Sequence, residues 1–443
     1  MQHGREFRTL IIQGENSLHG KIEVAGSKNA FHKLIAACML IPGEHTLRRV
    51  PNSSDAESLV AIAERLKARV DWDRPGRVLR IDSRRMSPEI LLPELTSKST
   101  GSFLFAGALL ARFNEVLIGH PGGDDIGVRP VDRHLEAFRA LGAEVSTQGD
   151  LYDIRAMPLH AGSVSFERDT VNGTANAVLA ALGARGKTTL AGASTDPDVL
   201  ALLDFLRLAG QRISWHESTL VVDGAGLRAT VSVDFEVPPD RNDAATLLVA
   251  AALCGDRVEI VGLRGEAMAP LLECLEYAGT RLEQHGASVT VSAPEVASRR
   301  AVNVATAPFP GFSTDWGPLV QVLMTQLPGV STFHETVYSN RFQHVGELQR
   351  MGASVEVDSA VNDADYVFTE TSTIGQIARF TGPSRLHGAA VTGENLRATA
   401  ALLLAGMVAS GETRLAGADH LSRGYDELIP RLAAAGASLH VGE

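Results

Sequence analysis

One pattern copied six times, with a period of about seventy residues, constrains this 443-residue chain more than any other feature. Each copy opens a long Ala/Leu-rich stretch with a short polar cluster. The clusters are Ser27-Lys28-Asn29, Ser99-Thr100-Gly101, Asn172-Gly173-Thr174, Asn242-Asp243, Ser313-Thr314-Asp315 and Glu394-Asn395. With Lys28, Thr100, Gly173, Asp243, Asp315 and Asn395 as markers, the steps are 72, 73, 70, 72 and 80 residues. Each copy closes on a helix end that turns into a strand: Ala68-Arg69-Val70, Gly142-Ala143-Glu144-Val145, Gly210-Gln211-Arg212-Ile213, Gly279-Thr280-Arg281-Leu282, Gly352-Ala353-Ser354-Val355 and Gly436-Ala437-Ser438-Leu439. Glycine stands where a helix C-terminus needs a left-handed residue, and the aliphatic residues after it begin a strand. A fixed period of this kind means one supersecondary unit used six times.

Each copy reads as strands, a buried small-residue helix, a strand, an amphipathic helix and the Gly-Ala-x-Val strand. Ala244 to Cys254 and Ala398 to Ala405 are apolar all round, which predicts buried helices. Val131 to Leu141 and Pro270 to Ala278 mix charged with apolar residues, which predicts outer helices. Helices packed on sheets make the fold class α/β. A chain of this length exceeds one core, so two domains of about 200 residues each are expected. The two prolines in Glu236-Val237-Pro238-Pro239-Asp240 suggest a stiff crossover between them. Residues 358 to 380, rich in Asp, Ser and Thr, lengthen the last step and read as a surface loop.

Charge narrows the function classes. Lysine plus arginine number 41 and aspartate plus glutamate 52, a net charge of −11. Such a balance argues against nucleic acid as partner. No apolar run reaches the ~18 residues of a membrane span, and the N-terminus lacks a signal-peptide pattern, so a cytoplasmic protein is expected. Cys38, Cys254 and Cys274 have no metal spacing and read as buried, inert thiols. Six buried helices that open on Ser, Thr, Asn or Asp supply six N-termini, each favouring anions. This gives an acidic chain a local way to hold phosphate or carboxylate.

Single residues then become candidates. Lys28, in the first turn of the first buried helix, opposes the helix dipole; it binds an anion or is a snorkelling surface lysine. Arg129 follows the Gly-rich run Gly122-Gly123-Asp124-Asp125-Ile126-Gly127, which alone could be an ordinary turn. Arg341, Arg397 and Arg423 each lie near a strand-to-helix junction, and the planar guanidinium suits carboxylate and phosphate. Asp315 opens the fifth buried helix, where a helix cap is the ordinary reading. His120, His134, His344 and His420 show no metal-ligand spacing and read as surface or structural residues.

These motifs resemble those of the enolpyruvyl transferases. The matching segments are Ser27-Lys28-Asn29-Ala30, Gly122 to Asp132, Pro239-Asp240-Arg241, Thr314-Asp315, Glu335-Thr336-Val337-Tyr338-Ser339-Asn340-Arg341-Phe342, Leu396-Arg397 and Arg423-Gly424-Tyr425. They are most similar to the UDP-N-acetylglucosamine 1-carboxyvinyltransferases of peptidoglycan synthesis, from about residue 8 to the C-terminus. The resemblance implies a two-domain inside-out α/β barrel of six repeats, like that of EPSP synthase, with domains at 28–238 and at 1–27 plus 239–443. It implies transfer of the enolpyruvyl group of phosphoenolpyruvate to a hydroxyl with release of phosphate, without metal or organic cofactor. Lys28, Arg129 and Arg423 are implied phosphate ligands, and Arg341 and Arg397 carboxylate ligands. Asp315 is the implied general base, and Asp124 the proton donor to the methylene carbon. Asn29 is implied to contact the acceptor, Arg129-Pro130-Val131-Asp132-Arg133 its uracil and phosphates, Asn172 and Gly173 its diphosphate, and Val337 its sugar. Most members carry cysteine where Asp124 stands, the target of fosfomycin, so insensitivity to that drug is implied.

Three positions depart from the family pattern. Thr100 replaces an arginine that helps bind the nucleotide sugar, although Lys98 is close. Asn172-Gly173-Thr174-Ala175 replaces a Ser-Val-Gly-Ala segment, and Asn395 replaces an aspartate. UDP-N-acetylglucosamine is the default acceptor. A paralogue of specialised metabolism acting on a smaller uridine nucleotide, such as UMP, is the alternative. A shikimate-phosphate acceptor would leave the uracil segment without a role. A non-catalytic nucleotide-sensing paralogue is opposed by the intact set of Lys28, Asp124, Arg129, Asp315, Arg341, Arg397 and Arg423.

Overall fold

A computed structural model of the chain describes residues 9–123, 130–225, 231–361 and 375–442. Asp124 and Arg129, and the residues between them, lie outside the described residues. The described residues divide into two compact units, one within 26–123 and 130–238, the other within 9–25 and 239–442.

The six-copy pattern has a direct structural counterpart. Six side chains cap six helical segments: Ser27, Ser99, Thr170, Asp240, Ser313 and Asn395 each accept a backbone N–H of the first turn. Ser99 and Ser313 open short 3₁₀ turns, Thr100–Phe103 and Thr314–Trp316, that run on into Leu104–Phe113 and Gly317–Met324. In two copies the cap precedes the polar cluster read from sequence. Thr170, not Asn172, caps Val171–Gly183, and Asp240 caps Arg241–Cys254. Asn172, Gly173, Asn242 and Asp243 therefore lie in the first turn, with the side chains of Asn172, Asn242 and Asp243 released from capping.

Lys28–Leu40, Leu104–Phe113 and Val171–Gly183 pack on one another in the first unit. In the second unit Arg241–Cys254, Gly317–Met324 and Leu396–Val408 do the same. Small residues permit this close approach, and the helices are buried on nearly every face. Asp132–Ala140 and Ala269–Tyr277 bury only one side, as their mixed composition predicts.

The sheets carry the same rule. Among the described residues five sheets have four strands and one has three, and each four-stranded sheet contains one parallel pair beside antiparallel neighbours. Ser163–Ser165 runs parallel to Arg185–Ala191 across a buried helix, and Thr219–Ala225 and Arg212–His216 complete that sheet. The chain start is used elsewhere: Leu18–Glu23 pairs parallel with Gly255–Val261, and Leu10–Gln13 pairs antiparallel with Glu412–Ala416 and Leu439–Val441. Reciprocally, Asp234–Glu236 returns to pair with Glu44–Arg48. The N-terminal strands thus belong to the unit that holds the C-terminus.

Gly142, Gly210, Gly279, Gly352 and Gly436 all adopt positive φ at the helix-to-strand turn. In the first copy Lys67 takes that conformation, at φ 64°. The segment at 358 to 380 is not one loop: its ends extend Ser354–Val361 and Gly375–Gly382 as an antiparallel hairpin. Burial is uneven among the cysteines. Cys38 is buried, whereas Cys254 and Cys274 are half-buried, with burial pushing both thiols up to about 12.

Candidate active site

In the first unit the Ser27 hydroxyl oxygen accepts the Ala30 N–H at 3.1 Å and donates to Asp198 Oδ1 at 2.9 Å. This cap starts the helix at Lys28. Lys28 Nζ reaches Asp55 Oδ2 at 3.0 Å, with side chains 12% and 4% exposed. Lys28 is therefore no snorkelling lysine. The charge that opposes the helix dipole is held inside by a buried carboxylate from the first turn of Ser54–Arg65. Asn29 is half-buried beside it, and its carbonyl accepts from the Nζ of buried Lys33 at 3.2 Å.

Pro130 and Val131 lead into Asp132–Ala140, with Val131 buried. Burial, with Arg168 adding like-charge repulsion, lowers the pKa of Arg133. Thr170 Oγ1 accepts the Gly173 N–H at 3.2 Å, which places Asn172 and Gly173 at the helix opening. Buried Asn176 locks these elements together. Its Oδ1 accepts the Gly107 N–H at 2.9 Å, and its Nδ2 reaches Phe103 O at 2.7 Å and His134 Nδ1 at 2.8 Å. His134 thus accepts at Nδ1 as a neutral imidazole; burial, then Arg133, pushes its pKa down to about 4.

In the second unit three helix N-termini bring their first-turn side chains together. Ser313 Oγ accepts the Asp315 N–H at 3.3 Å, so the cap is Ser313 and the Asp315 carboxylate serves otherwise. Asp315 Oδ2 accepts from Arg397 Nη2 and from Asn242 Nδ2, each at 3.0 Å. Its Oδ1 pairs with Arg341 Nη2. Both arginines are 5% exposed.

Each guanidinium is held from behind. Asn395 Oδ1 accepts the Arg397 and Ala398 N–H groups at 3.1 and 3.0 Å, fixing the start of Leu396–Val408. The Asn395 amide nitrogen donates to Gln343 Oε1. Arg397 Nη1 donates to the Tyr425 hydroxyl at 3.0 Å, and that hydroxyl lies 2.8 Å from Thr246 Oγ1. Burial works against the Arg397 charge, but Asp315, Tyr425 and Asp240 outweigh it and raise its pKa. Arg341 Nε donates to Thr314 Oγ1 at 3.3 Å, and its guanidinium lies over the Tyr338 ring.

Glu335 builds the loop that carries Arg341. It accepts from Thr306 Oγ1 at 3.1 Å, Thr314 Oγ1 at 2.8 Å, Val337 N at 2.8 Å and Tyr338 N at 3.1 Å. Burial raises its carboxyl pKa, which Arg341 and these bonds oppose. Val337 is buried in that loop, and Arg423 ends the turn Ala418–Arg423. His344 is buried beside Arg341, its pKa pushed down to about 3 by burial and that charge.

Asp315, Arg341 and Arg397 are thus assembled in one unit, and Lys28, Asn29, Pro130 to Arg133, Asn172 and Gly173 belong to the other. Sequence reasoning missed Asp55, Asn242, Thr246 and Tyr425 as partners. Asn242 and Tyr425 stood inside quoted motifs, and only the fold gave them roles. Among the described residues no cluster of three or more His, Cys, Asp or Glu could hold a metal ion. Two desolvated guanidiniums suit recognition of an anionic carboxyl group.

Comparison with known proteins gives the family. Residues 12–432 match the family model of EPSP synthase (3-phosphoshikimate 1-carboxyvinyltransferase). The UDP-N-acetylglucosamine 1-carboxyvinyltransferase of Halothermothrix orenii is 34% identical over 430 residues, 97% of this chain and 98% of that protein. The UDP-N-acetylglucosamine 1-carboxyvinyltransferase 2 of Streptococcus pyogenes serotype M1 is 34% identical over 440 residues, 99% of this chain and 100% of that protein. Among solved structures, the enolpyruvyl transferase NikO from Streptomyces tendae superposes with a TM-score of 0.85 at 23% identity, covering 99% of both chains. EPSP synthase from Acinetobacter baumannii gives 0.73 at 17% identity, covering 98% of this chain and 100% of that one. These likenesses fix the fold as the two-domain inside-out α/β barrel.

Proposed function

This chain belongs to the EPSP synthase family of enolpyruvyl transferases, and on that premise we propose that it moves the enolpyruvyl group of phosphoenolpyruvate onto a hydroxyl of a uridine nucleotide, by default the 3-hydroxyl of UDP-N-acetylglucosamine. The observation that carries this reading is the buried set of Arg341 and Arg397 around Asp315. Arg341 and Arg397 hold the substrate carboxylate. Lys28, Arg129 and Arg423 hold the phosphate and stabilise its departure.

The acceptor oxygen adds to C2 of phosphoenolpyruvate as Asp315 takes the hydroxyl proton, and Asp124 delivers a proton to C3. The resulting ketal loses phosphate by cleavage of its C–O bond. Loss of a proton from C3 restores the double bond, so atoms and charge balance without a metal or cofactor. Fixed cations stabilise the anionic leaving group without reorganising at the moment of reaction. Asn29, Pro130 to Arg133, Asn172, Gly173 and Val337 form the acceptor side. In this reading residues 28–238 and residues 1–27 with 239–443 are two domains of three repeats each.

Three positions favour a second reading, a smaller uridine nucleotide such as UMP. Thr100 brings no charge to the sugar side. The first turn after Thr170 carries Asn172, Gly173 and Thr174, and the Asn395 amide is engaged by Gln343. Among the described residues no helix is long and apolar enough to cross a membrane, and the reading is of a cytoplasmic enzyme. Phosphate release from phosphoenolpyruvate, measured against UDP-N-acetylglucosamine, UDP, UMP and uridine, decides between the acceptors. Turnover with the nucleotide sugar alone supports the first, turnover with UMP supports the second, and no release with any refutes both.

A further inference from the structure

Asp315 holds the Nη2 group of each of the two arginines that a substrate carboxylate would meet. Arginine offers five N–H donors in a fixed fork and no acceptor. Arg341 spends Nε on Thr314, and Arg397 spends Nη1 on Tyr425; the Nη2 of each meets Asp315. A ligand carboxylate that docks on these two guanidiniums competes with Asp315 for both Nη2 groups. Two carboxylates within about 4 Å also repel strongly at a site this desolvated.

Asn242 is a third, neutral contact to the same carboxylate. Its Nδ2 donates to Asp315 Oδ2 while its Oδ1 accepts the Trp316 Nε1–H at 3.1 Å. Trp316 is 1% exposed and stands edge-on to Phe312 at 5.4 Å. The amide cannot flip without losing the indole bond and setting its own oxygen against the carboxylate. Asn242 is therefore fixed as a donor, and a neutral donor has no reason to leave when an anion arrives.

We propose that the carboxylate of phosphoenolpyruvate activates the base by exchange: it takes Arg341 and Arg397 from Asp315, and Asn242 retains the released carboxylate in position. This rests on the reading that those arginines hold the substrate carboxylate. A carboxylate paired with two guanidiniums is a poor proton acceptor, because nearby cations favour its charged form. Removing both pairs restores its basicity at the moment the second substrate is in place. Asn242 is a positioning residue in this scheme, acting through Asp315. Among the described residues the other charged or titratable groups around the cluster include Glu335 and His344, which face Arg341, and Asp240 and Tyr425, which face Arg397.

Calorimetric titration with phosphoenolpyruvate and with inorganic phosphate, beside turnover measurements, tests the exchange. Asp315→Asn should bind phosphoenolpyruvate about tenfold tighter, about 1.4 kcal/mol, because the competing anion is gone. Its affinity for inorganic phosphate should stay within about twofold, and kcat should fall by about a hundredfold or more. Asp315→Ser, which removes the same anion, should behave alike. Asn242→Leu should leave phosphoenolpyruvate affinity within about twofold while lowering kcat by about tenfold, a split that a merely structural role would not give. Unchanged or weaker phosphoenolpyruvate binding by both Asp315 variants overturns the exchange, as does equal tightening of inorganic phosphate. Arg397→Met separates the two levels. If it leaves phosphoenolpyruvate affinity intact, the carboxylate reading itself fails; if it weakens binding while the Asp315 variants do not tighten it, the exchange alone fails.

Discussion

Arg431→Met should destabilise the unit formed by residues 9–25 and 239–442 by about 3 kcal/mol, for a reason visible at one carboxylate. Asp243, 1% exposed, accepts from Arg431 Nη1 and Nη2 at 2.8 and 2.6 Å, and from the Ala25 N–H at 2.9 Å. The same Nη1 also donates to Glu23 O at 2.9 Å. One guanidinium therefore ties Leu428–Ala434 to the opening of Arg241–Cys254 and to the N-terminal strand. Methionine keeps the aliphatic stem and removes the charge. What remains is a buried carboxylate with the Ala25 N–H beside it. Breaking a buried pair from one side costs about 3–5 kcal/mol. The lower figure applies because the Arg431 side chain is 17% exposed, so some water can reach the orphaned group. Trp316 lies in this unit and Trp72 and Trp215 in the other. Urea unfolding followed by fluorescence in a Trp72→Phe, Trp215→Phe background therefore reports on the affected unit. Asp243→Leu combined with Arg431→Met should cost less than the sum of the single changes, since no uncompensated charge is left. A loss below about 1 kcal/mol for Arg431→Met, or strict additivity, would refute the argument.

Tyr425→Phe removes one hydroxyl and strands a buried donor on Arg397. A hydrogen bond to a charged group is worth about 1.5–3 kcal/mol, so kcat/KM for phosphoenolpyruvate should fall by about tenfold or more in a phosphate-release assay; a change within twofold would show that Arg397 is placed without it. His134 makes stability depend on pH. Its folded pKa of about 4 lies below the ordinary 6.5, so between those values only the unfolded chain takes the proton; stability should fall as pH drops from 6.5 to 4, by about 1.4 kcal/mol per unit and roughly 3 in all, and be flat above. His134→Gln, whose amide oxygen can still accept from Asn176, should flatten that slope by one proton in urea midpoints measured from pH 4.5 to 7. The motif resemblance puts Asp124 at the position of a fosfomycin-reactive cysteine, and on that reading the drug meets a carboxylate, a weaker nucleophile towards an epoxide. The protein should form no fosfomycin adduct by mass spectrometry, Asp124→Cys should gain time-dependent inactivation, and full activity of Asp124→Ala would remove its role as proton donor.

The repeat was legible because its signals are local. A capping side chain acts on an N–H two or three residues away, and a left-handed C-terminal residue acts on the turn it sits in, so both leave a mark in the sequence. At two caps the reading slipped by two residues. Asn172 and Asn242 look like caps because both residue types favour that position, yet Thr170 and Asp240, two residues earlier in each case, take the role. The Lys67 turn was harder to see, since lysine replaces the glycine found in the other five copies. At 358 to 380 polarity alone read as a loop, although alternation can put polar residues on the open side of a hairpin; Ser354–Val361 and Gly375–Gly382 pair across it. The site was legible only through motif resemblance. Asp55 lies 27 residues from Lys28, Arg341 lies 26 from Asp315, and Arg431 lies 188 from Asp243. No local rule links residues at such separations.

The long-range bonds of the second unit close on themselves. Asn242 Nδ2 donates to Asp315, which accepts from Arg397 Nη2, whose Nη1 donates to the Tyr425 hydroxyl. Arginine can only donate, so the Tyr425 oxygen accepts there and its own proton goes to Thr246 Oγ1. The Thr246 hydroxyl in turn donates to the Asn242 carbonyl at 2.9 Å, completing the ring. Every proton in it therefore has an assigned direction. Asn242 and Thr246 come from the fourth repeat, Asp315 from the fifth, and Arg397 and Tyr425 from the sixth. The ring thus joins three helix openings whose packed bodies are mostly apolar, and it fixes their mutual register at the end where the charged chemistry sits. Such a ring is cooperative, because each polarised bond strengthens its neighbours. Its energetic signature is strong coupling between members that do not touch. Asn242→Leu and Tyr425→Phe are joined only through Thr246 and through Asp315 and Arg397. Independent sites would give additive losses in stability, whereas members of one ring should show a coupling of about 0.5 kcal/mol or more in a double-mutant cycle. Additivity within about 0.3 kcal/mol would mean that the bonds are a list of pairs and that the three helices are aligned by packing alone.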